Sequence, residues 1–207
     1  MHVLTMAMCL AALAASDSAP EPGMDVLFEA NFTDEDEWDD DWTWLREDPG
    51  DWRLADGALE IRSRPGDAET VRNALLRPVP DVDGPLVFEV TVTFTETPTE
   101  QYEQAGLTWY HDGEPDFKIV HERVEDDPVI VPGFAQTDKA TVQLRLVVED
   151  DGSYKAKFRE EDEEEFQEVA DGELPIGEDN SIALVTYHGP EDADHWMRFT
   201  DFRIGRP

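Results

Sequence analysis

Cysteine is almost absent: Cys9 is the only one among 207 residues. It lies inside an apolar N-terminal run, Val3 to Ala15, so a chain trimmed after that run carries no thiol. The residues before it are not of the Leu-Ala-Gly type that precedes a lipidated cysteine. Disulfides, thiolate metal sites and cysteine nucleophiles are thereby excluded from the trimmed chain. Packing must hold the fold, with or without a bound ion.

Positive charge is also scarce. Sixteen Lys and Arg stand against 50 Asp and Glu, a formal charge of −34. Only Lys118, Lys139, Lys155 and Lys157 are lysines. Such a surface repels phosphate backbones and anionic lipid headgroups, which disfavours nucleic acid and membrane surfaces as partners. The acid excess has a plain explanation in solubility, as in a salty habitat, and a functional one in divalent-cation capture.

Long apolar runs and helix-length windows are missing too. Fourteen Pro and thirteen Gly interrupt the chain. There is no Gly-x-Ser-x-Gly, no His-Glu-x-x-His, no phosphate loop and no dinucleotide fingerprint. His2, His111, His121, His188 and His195 are scattered, without zinc spacing.

What is present begins with an export signal. The run Val3–Ala15 is too short to span a bilayer, and small residues follow it. Its start lacks Lys and Arg, which is atypical. We read residues 1–16 as a signal peptide, 17–25 as a linker and 26–207 as one domain. A secreted or periplasmic location follows, with no membrane partner after cleavage.

From Val26 onward the apolar period is two. Leu86, Phe88, Val90, Val92 and Phe94 alternate with Val87, Glu89, Thr91 and Thr93. The same pattern recurs in 142–149, 117–122 and 154–159. Each is a strand with one buried and one wet face. Asp-Gly pairs at 56–57, 83–84, 112–113, 151–152 and 171–172 supply turn residues. The pairs at 56–57 and 151–152 lie between alternating runs and predict hairpins. The acidic run Glu160–Glu165 predicts a solvated turn, its repulsion offset by Lys155, Lys157 and Arg159. The fold class is all-β, a sandwich or jelly roll.

Two segments carry a resemblance. The first is Trp42-Thr43-Trp44-Leu45-Arg46, running on to Trp52-Arg53-Leu54 and Asp56-Gly57-Ala58-Leu59-Glu60-Ile61. The second is Gln104-Ala105-Gly106-Leu107-Thr108-Trp109-Tyr110, then Phe117-Lys118-Ile119-Val120. Together they resemble concanavalin A-like domains of the DUF1349 type and the C-terminal sandwich of family 43 β-xylosidases. The resemblance covers roughly residues 26–205. It implies a jelly roll of two antiparallel sheets, one convex and one concave, and a role near carbohydrate. In the xylosidases this sandwich sits beside a catalytic propeller, which this chain lacks.

Sugar binding needs flat apolar faces and planar polar groups at fixed positions. Gln104, Trp109, Lys118, His121, Glu122, Trp44 and Arg46 are the candidates, with Lys118 and Glu122 on one face of a strand and His121 on the other. Trp42, Trp44 and Trp52 equally suit a core. Trp109 is a ligand candidate because Thr108 and Tyr110 should not all be buried with it. The resemblance also implies a structural Ca²⁺ joining the first and last strands, for which Glu29 and Asp201 stand at matching ends. The expected function is a secreted, non-catalytic carbohydrate-binding domain that uses its concave sheet. A non-sugar interaction module and a glycoside hydrolase are the alternatives. The candidate acidic run, 160–165, has a turn composition, and Glu89 on the Leu86–Phe94 strand is isolated.

Overall fold

Alternating apolar residues produce strands throughout. The computed structural model describes residues 24–30, 32–35 and 38–207. The predicted signal peptide and most of the predicted linker lie outside these residues. Fifteen strands form, and no α-helix occurs among the described residues. They assemble into two antiparallel sheets packed as a sandwich, open at its edges.

The first sheet has eight strands. In spatial order it runs β13 (Gln167–Glu173), β12 (Ser153–Glu160), β11 (Thr141–Val148), β6 (Leu86–Phe94), β15 (Trp196–Arg206), β4 (Ala58–Arg62) and β3 (Trp52–Ala55). The eighth, β1 (Asp25–Glu29), pairs with the last residues of β15. The second sheet has seven strands: β10 (Ala135–Gln136), β9 (Asp127–Val131), β8 (Glu114–Val124), β7 (Gln104–His111), β14 (Ser181–Tyr187), β5 (Ala74–Pro78) and β2 (Thr43–Leu45).

The period-two pattern explains the packing. In β6 and β11 the alternate residues Phe88, Val90, Val92, Leu144 and Leu146 turn inward and are buried. From the opposite sheet, Leu107, Trp109, Ile119, Ile182 and Leu184 meet them. Burial of such side chains, at roughly 1.5–3 kcal/mol each, is the main force holding the sheets together.

Turn chemistry sets the registers. Asp56 and Gly57 have φ of 50° and 74°, and Asp112 and Gly113 have φ of 51° and 80°. Positive φ at both central residues is the turn that matches strand twist. Gly152, at φ 85°, closes the turn between β11 and β12. The pair Asp171-Gly172 departs from expectation: it lies inside β13, opposite Lys155 and Tyr154. Gly172 is there to admit the Tyr154 ring, since a Cβ would stand 2.8 Å from that ring. The acidic run does form the turn between β12 and β13, where Arg145 and Arg159 lie over the Phe166 ring at 3.8 and 4.6 Å.

One edge of the sandwich is closed by tryptophans. Trp44 and Trp52 stack with centroids 4.8 Å apart, and Trp38 lies 6.0 Å from Trp52. Arg77 covers Phe28 at 3.5 Å and grips Asp39 through two bonds of 2.6 and 2.7 Å. That grip holds the Asp39 carboxyl below the usual carboxylate range.

Candidate functional site

The outer face of the seven-stranded sheet carries the polar residues of β7 and β8. Register brings them into rows: Gln104 pairs with Glu122 on one side and Tyr187 on the other, while Thr108 pairs with Lys118 and Ala183. Lys118 Nζ donates to Gln104 Oε1 at 2.5 Å and to Glu122 Oε2 at 2.9 Å. Gln104 Nε2 donates to the Tyr102 carbonyl at 2.6 Å, which fixes the amide. Glu122 is only 5% exposed, so the Lys118 ammonium is what makes its charge tolerable there.

A segment before β5 roofs part of this face. Val71 packs with Tyr110, Ala183, Val185 and Tyr187, and Ala68 joins them. Arg46 pins the segment by donating from Nη1 to the Val71 carbonyl at 2.7 Å and from Nη2 to the Glu69 carbonyl at 2.5 Å. Arg64 anchors its start on Asp51 through two bonds of 2.7 Å. The chain after β14 ties in, with the amides of His188 and Gly189 donating to the carbonyls of Gly66 and Arg64. Beneath this roof, burial raises the pKa of both Tyr110 and Tyr187, so both hydroxyls stay protonated at neutral pH.

What the roof leaves open is a depression of about 370 Å³. Thr108 and Tyr187 form its floor, Lys118 and Asp116 one wall, and Asp67 and His188 the other. Thr108 is 3% exposed, and its Oγ1 makes no hydrogen bond within the chain. A buried hydroxyl without a partner costs roughly 1–3 kcal/mol, unless something in the depression supplies one. Burial, aided by Lys118, lowers the His188 pKa, which leaves its ring neutral at pH 7. Asp67 is held ionised by bonds from the Thr70 hydroxyl and amide.

Of the residues nominated from sequence, Gln104, Lys118 and Glu122 converge here, with Arg46 behind them as a pin. The other three lie away from this outer face. Trp109 is 1% exposed in the inter-sheet core, edge-on to Phe88, with its indole N–H donating to the Pro175 carbonyl. Thr108 and Tyr110 are buried with it after all: the roof covers Tyr110, and Thr108 is 3% exposed at the bottom of the depression beside it. His121 stacks on Phe94 at 4.1 Å inside the core, with neither ring nitrogen paired. Trp44 belongs to the tryptophan edge. Sequence reasoning nominated neither Thr108 nor Asp67. Strand parity with Gln104 was a usable signal for Thr108; nothing local signals Asp67.

The two carboxylates proposed for a metal are each taken up by other partners. Arg203 donates to Glu29 Oε1 from Nε and Nη2, both at 2.8 Å, while Asp201 accepts from the Thr200 hydroxyl. A guanidinium in contact with the first carboxylate opposes a dication, so these residues do not fit calcium. Among the described residues no group of three or more His, Cys, Asp or Glu is placed to hold a metal.

No family model matches the chain. No curated protein matches it either. Solved structures do. The GH43 BlXynB protein from Bacillus licheniformis superposes over 91% of this chain with a TM-score of 0.65 and 16% identity. The match spans only 41% of that protein, so this chain is about two fifths of its length. The CBM2 module of the evolved Dit of Lactobacillus casei BL23 phage J-1 matches over 87% of this chain and 94% of its own, at TM-score 0.59 and 9% identity. A protein from a study of human gut microbiota that express endo-acting O-glycanases to initiate mucin breakdown matches over 88% of this chain and all of its own, at TM-score 0.57 and 14% identity. At these identities the likeness is one of fold. The two-sheet sandwich is what this chain and these structures have in common.

Proposed function

We propose that this chain is a secreted, non-catalytic carbohydrate-binding domain whose ligand lies on the outer face of the seven-stranded sheet. The observation that carries the reading is the unpartnered Thr108 hydroxyl in the floor of the depression. A sugar hydroxyl is the natural complement. Around it, Tyr187 contributes aromatic surface, and Lys118 and His188 present polar atoms from positions fixed by sheet and roof. The packing that fixes them before any ligand arrives limits the ordering cost of binding. The sugar-related neighbours support the same reading.

Hydrolysis is the weaker reading. A retaining mechanism needs two carboxyl groups about 5–5.5 Å apart. On this face the buried carboxylate, Glu122, is already bonded to Lys118, and Asp67 and Asp116 stand exposed on opposite walls.

The test is a glycan array on residues 24–207, followed by titration calorimetry with the best ligand on the wild type and on Thr108→Val. Binding that weakens about tenfold in the variant, with the melting temperature unchanged or raised, supports the site. An array with no sugar bound, or a variant with unchanged affinity, removes it.

A further inference from the structure

The charge around the depression is lopsided. Asp67 and Asp116 face it from opposite walls, and both side chains are exposed. Among the described residues Lys118 is the only cation lining it, and that charge is spent on Glu122 and Gln104. His188 adds none at neutral pH, because burial and the nearby Lys118 oppose its protonation. The depression therefore presents two uncompensated carboxylates, set in a chain of formal charge −34. Thr108 Oγ1 remains free at its floor.

Resting on the carbohydrate reading above, we infer that the depression selects sugars bearing a protonated amine, such as deacetylated 2-amino-2-deoxyhexose units, over neutral sugars, and rejects sugars bearing carboxylate or sulfate groups. The floor hydroxyl and the Tyr187 ring recognise the sugar, which any class shares. The two wall carboxylates add the discrimination. Asp67 is well suited because Thr70 fixes its carboxylate through both amide and hydroxyl, which leaves oxygen lone pairs directed outward. An ammonium on the ring meets acceptors on either side, whereas a uronate meets like charge and no free cation. The same negative field that repels polyanions steers cationic chains toward the protein.

The experiment titrates residues 24–207 at 0.15 M NaCl with four ligands of equal length: a glucosamine tetramer, its fully N-acetylated form, xylotetraose and tetragalacturonate. Asp67→Asn/Asp116→Asn is compared with Glu163→Gln/Glu164→Gln, which removes the same charge from the distant acidic turn. Exposed ion pairs of this kind give a preference of about three- to tenfold for the amine over its acetylated form. That preference should vanish in the Asp67/Asp116 variant and persist in the Glu163/Glu164 variant. Equal affinity for amine and acetylated forms, or loss of preference in both variants alike, overturns the inference and leaves a neutral-sugar site standing. Binding of none of the four, with a blank array, overturns the carbohydrate reading and the inference with it.

Discussion

Lys118 Nζ lies 2.9 Å from Glu122 Oε2, two residues of one strand four apart in sequence and on the same face. The ammonium holds a carboxylate that is almost wholly buried, and it holds Gln104 as well. One side chain thus orders two other polar groups at the site.

Removing that side chain should therefore cost both stability and binding. Lys118→Met leaves Glu122 buried without its cation, a change worth about 3 kcal/mol for a buried pair and less here, because Lys118 is partly exposed. Chemical denaturation should show a loss of roughly 1–3 kcal/mol. The double variant Lys118→Met/Glu122→Gln should regain most of that stability and none of the sugar affinity. Full recovery of binding in the double variant would show that the pair only props the sheet.

The sandwich was legible in the sequence because two-residue periodicity is a local signal. Leu86–Phe94 forms a strand as read, the run 154–159 lies within β12, and the Asp-Gly pairs at 56–57 and 112–113 turn as their φ preferences demand. The site was legible only in part. Parity along β8 correctly separates Lys118 and Glu122 from His121. Parity along β7 groups Gln104 with Thr108 and Tyr110 and sets Trp109 apart, yet the aromatic ring was the more tempting ligand. What hid the outcome was the roof over 64–73. It has no period, and it is held by Arg46 and by the chain after β14, contacts that span more than a hundred residues in the latter case. A face that alternation marks as wet becomes buried through such long-range cover. Asp171-Gly172 failed for a related reason: Tyr154, eighteen positions from Gly172, needs the space.

Calcium should do nothing to stability. Glu29 already accepts two bonds from Arg203, and a dication would have to displace a guanidinium. The melting temperature of residues 24–207 should be the same in EDTA and in millimolar CaCl₂. A rise in calcium that EDTA reverses would reinstate a metal site.

Salt should stabilise the protein. The chain carries 50 acidic residues against 16 basic ones, and the ion pairs that exist neutralise only part of that excess. Raising NaCl from 0.05 to 0.5 M shortens the screening length to less than half of its starting value. If screening relieves even 1–2 kcal/mol of repulsion, the melting temperature of a domain this size rises by about 2–8 °C. A flat or falling curve would show that surface repulsion is not a term in its stability.

The sharpest pH dependence should come from His121. Its ring is fully buried against Phe94, neither nitrogen has a partner, and burial lowers its pKa from 6.5 to about 3. In the unfolded chain the ring takes up a proton below about pH 6.5; in the folded chain it does so only near pH 3. The neutral ring's contribution is thus intact above pH 6.5 and is lost as the pH falls from there toward 3. Each unit is worth about 1.4 kcal/mol, so the loss at pH 4 is on the order of 3 kcal/mol. Carboxylates titrate in the same window, and a single-site comparison separates them. His121→Phe keeps an aromatic ring beside Phe94 and removes the proton site. Urea unfolding of both proteins at pH 7 and pH 4 should show the variant gaining about 3 kcal/mol relative to wild type on acidification. Any constant offset from repacking cancels in that difference. Parallel pH curves would mean that His121 finds a proton partner in solution, and that its ring is not sealed from water between the sheets.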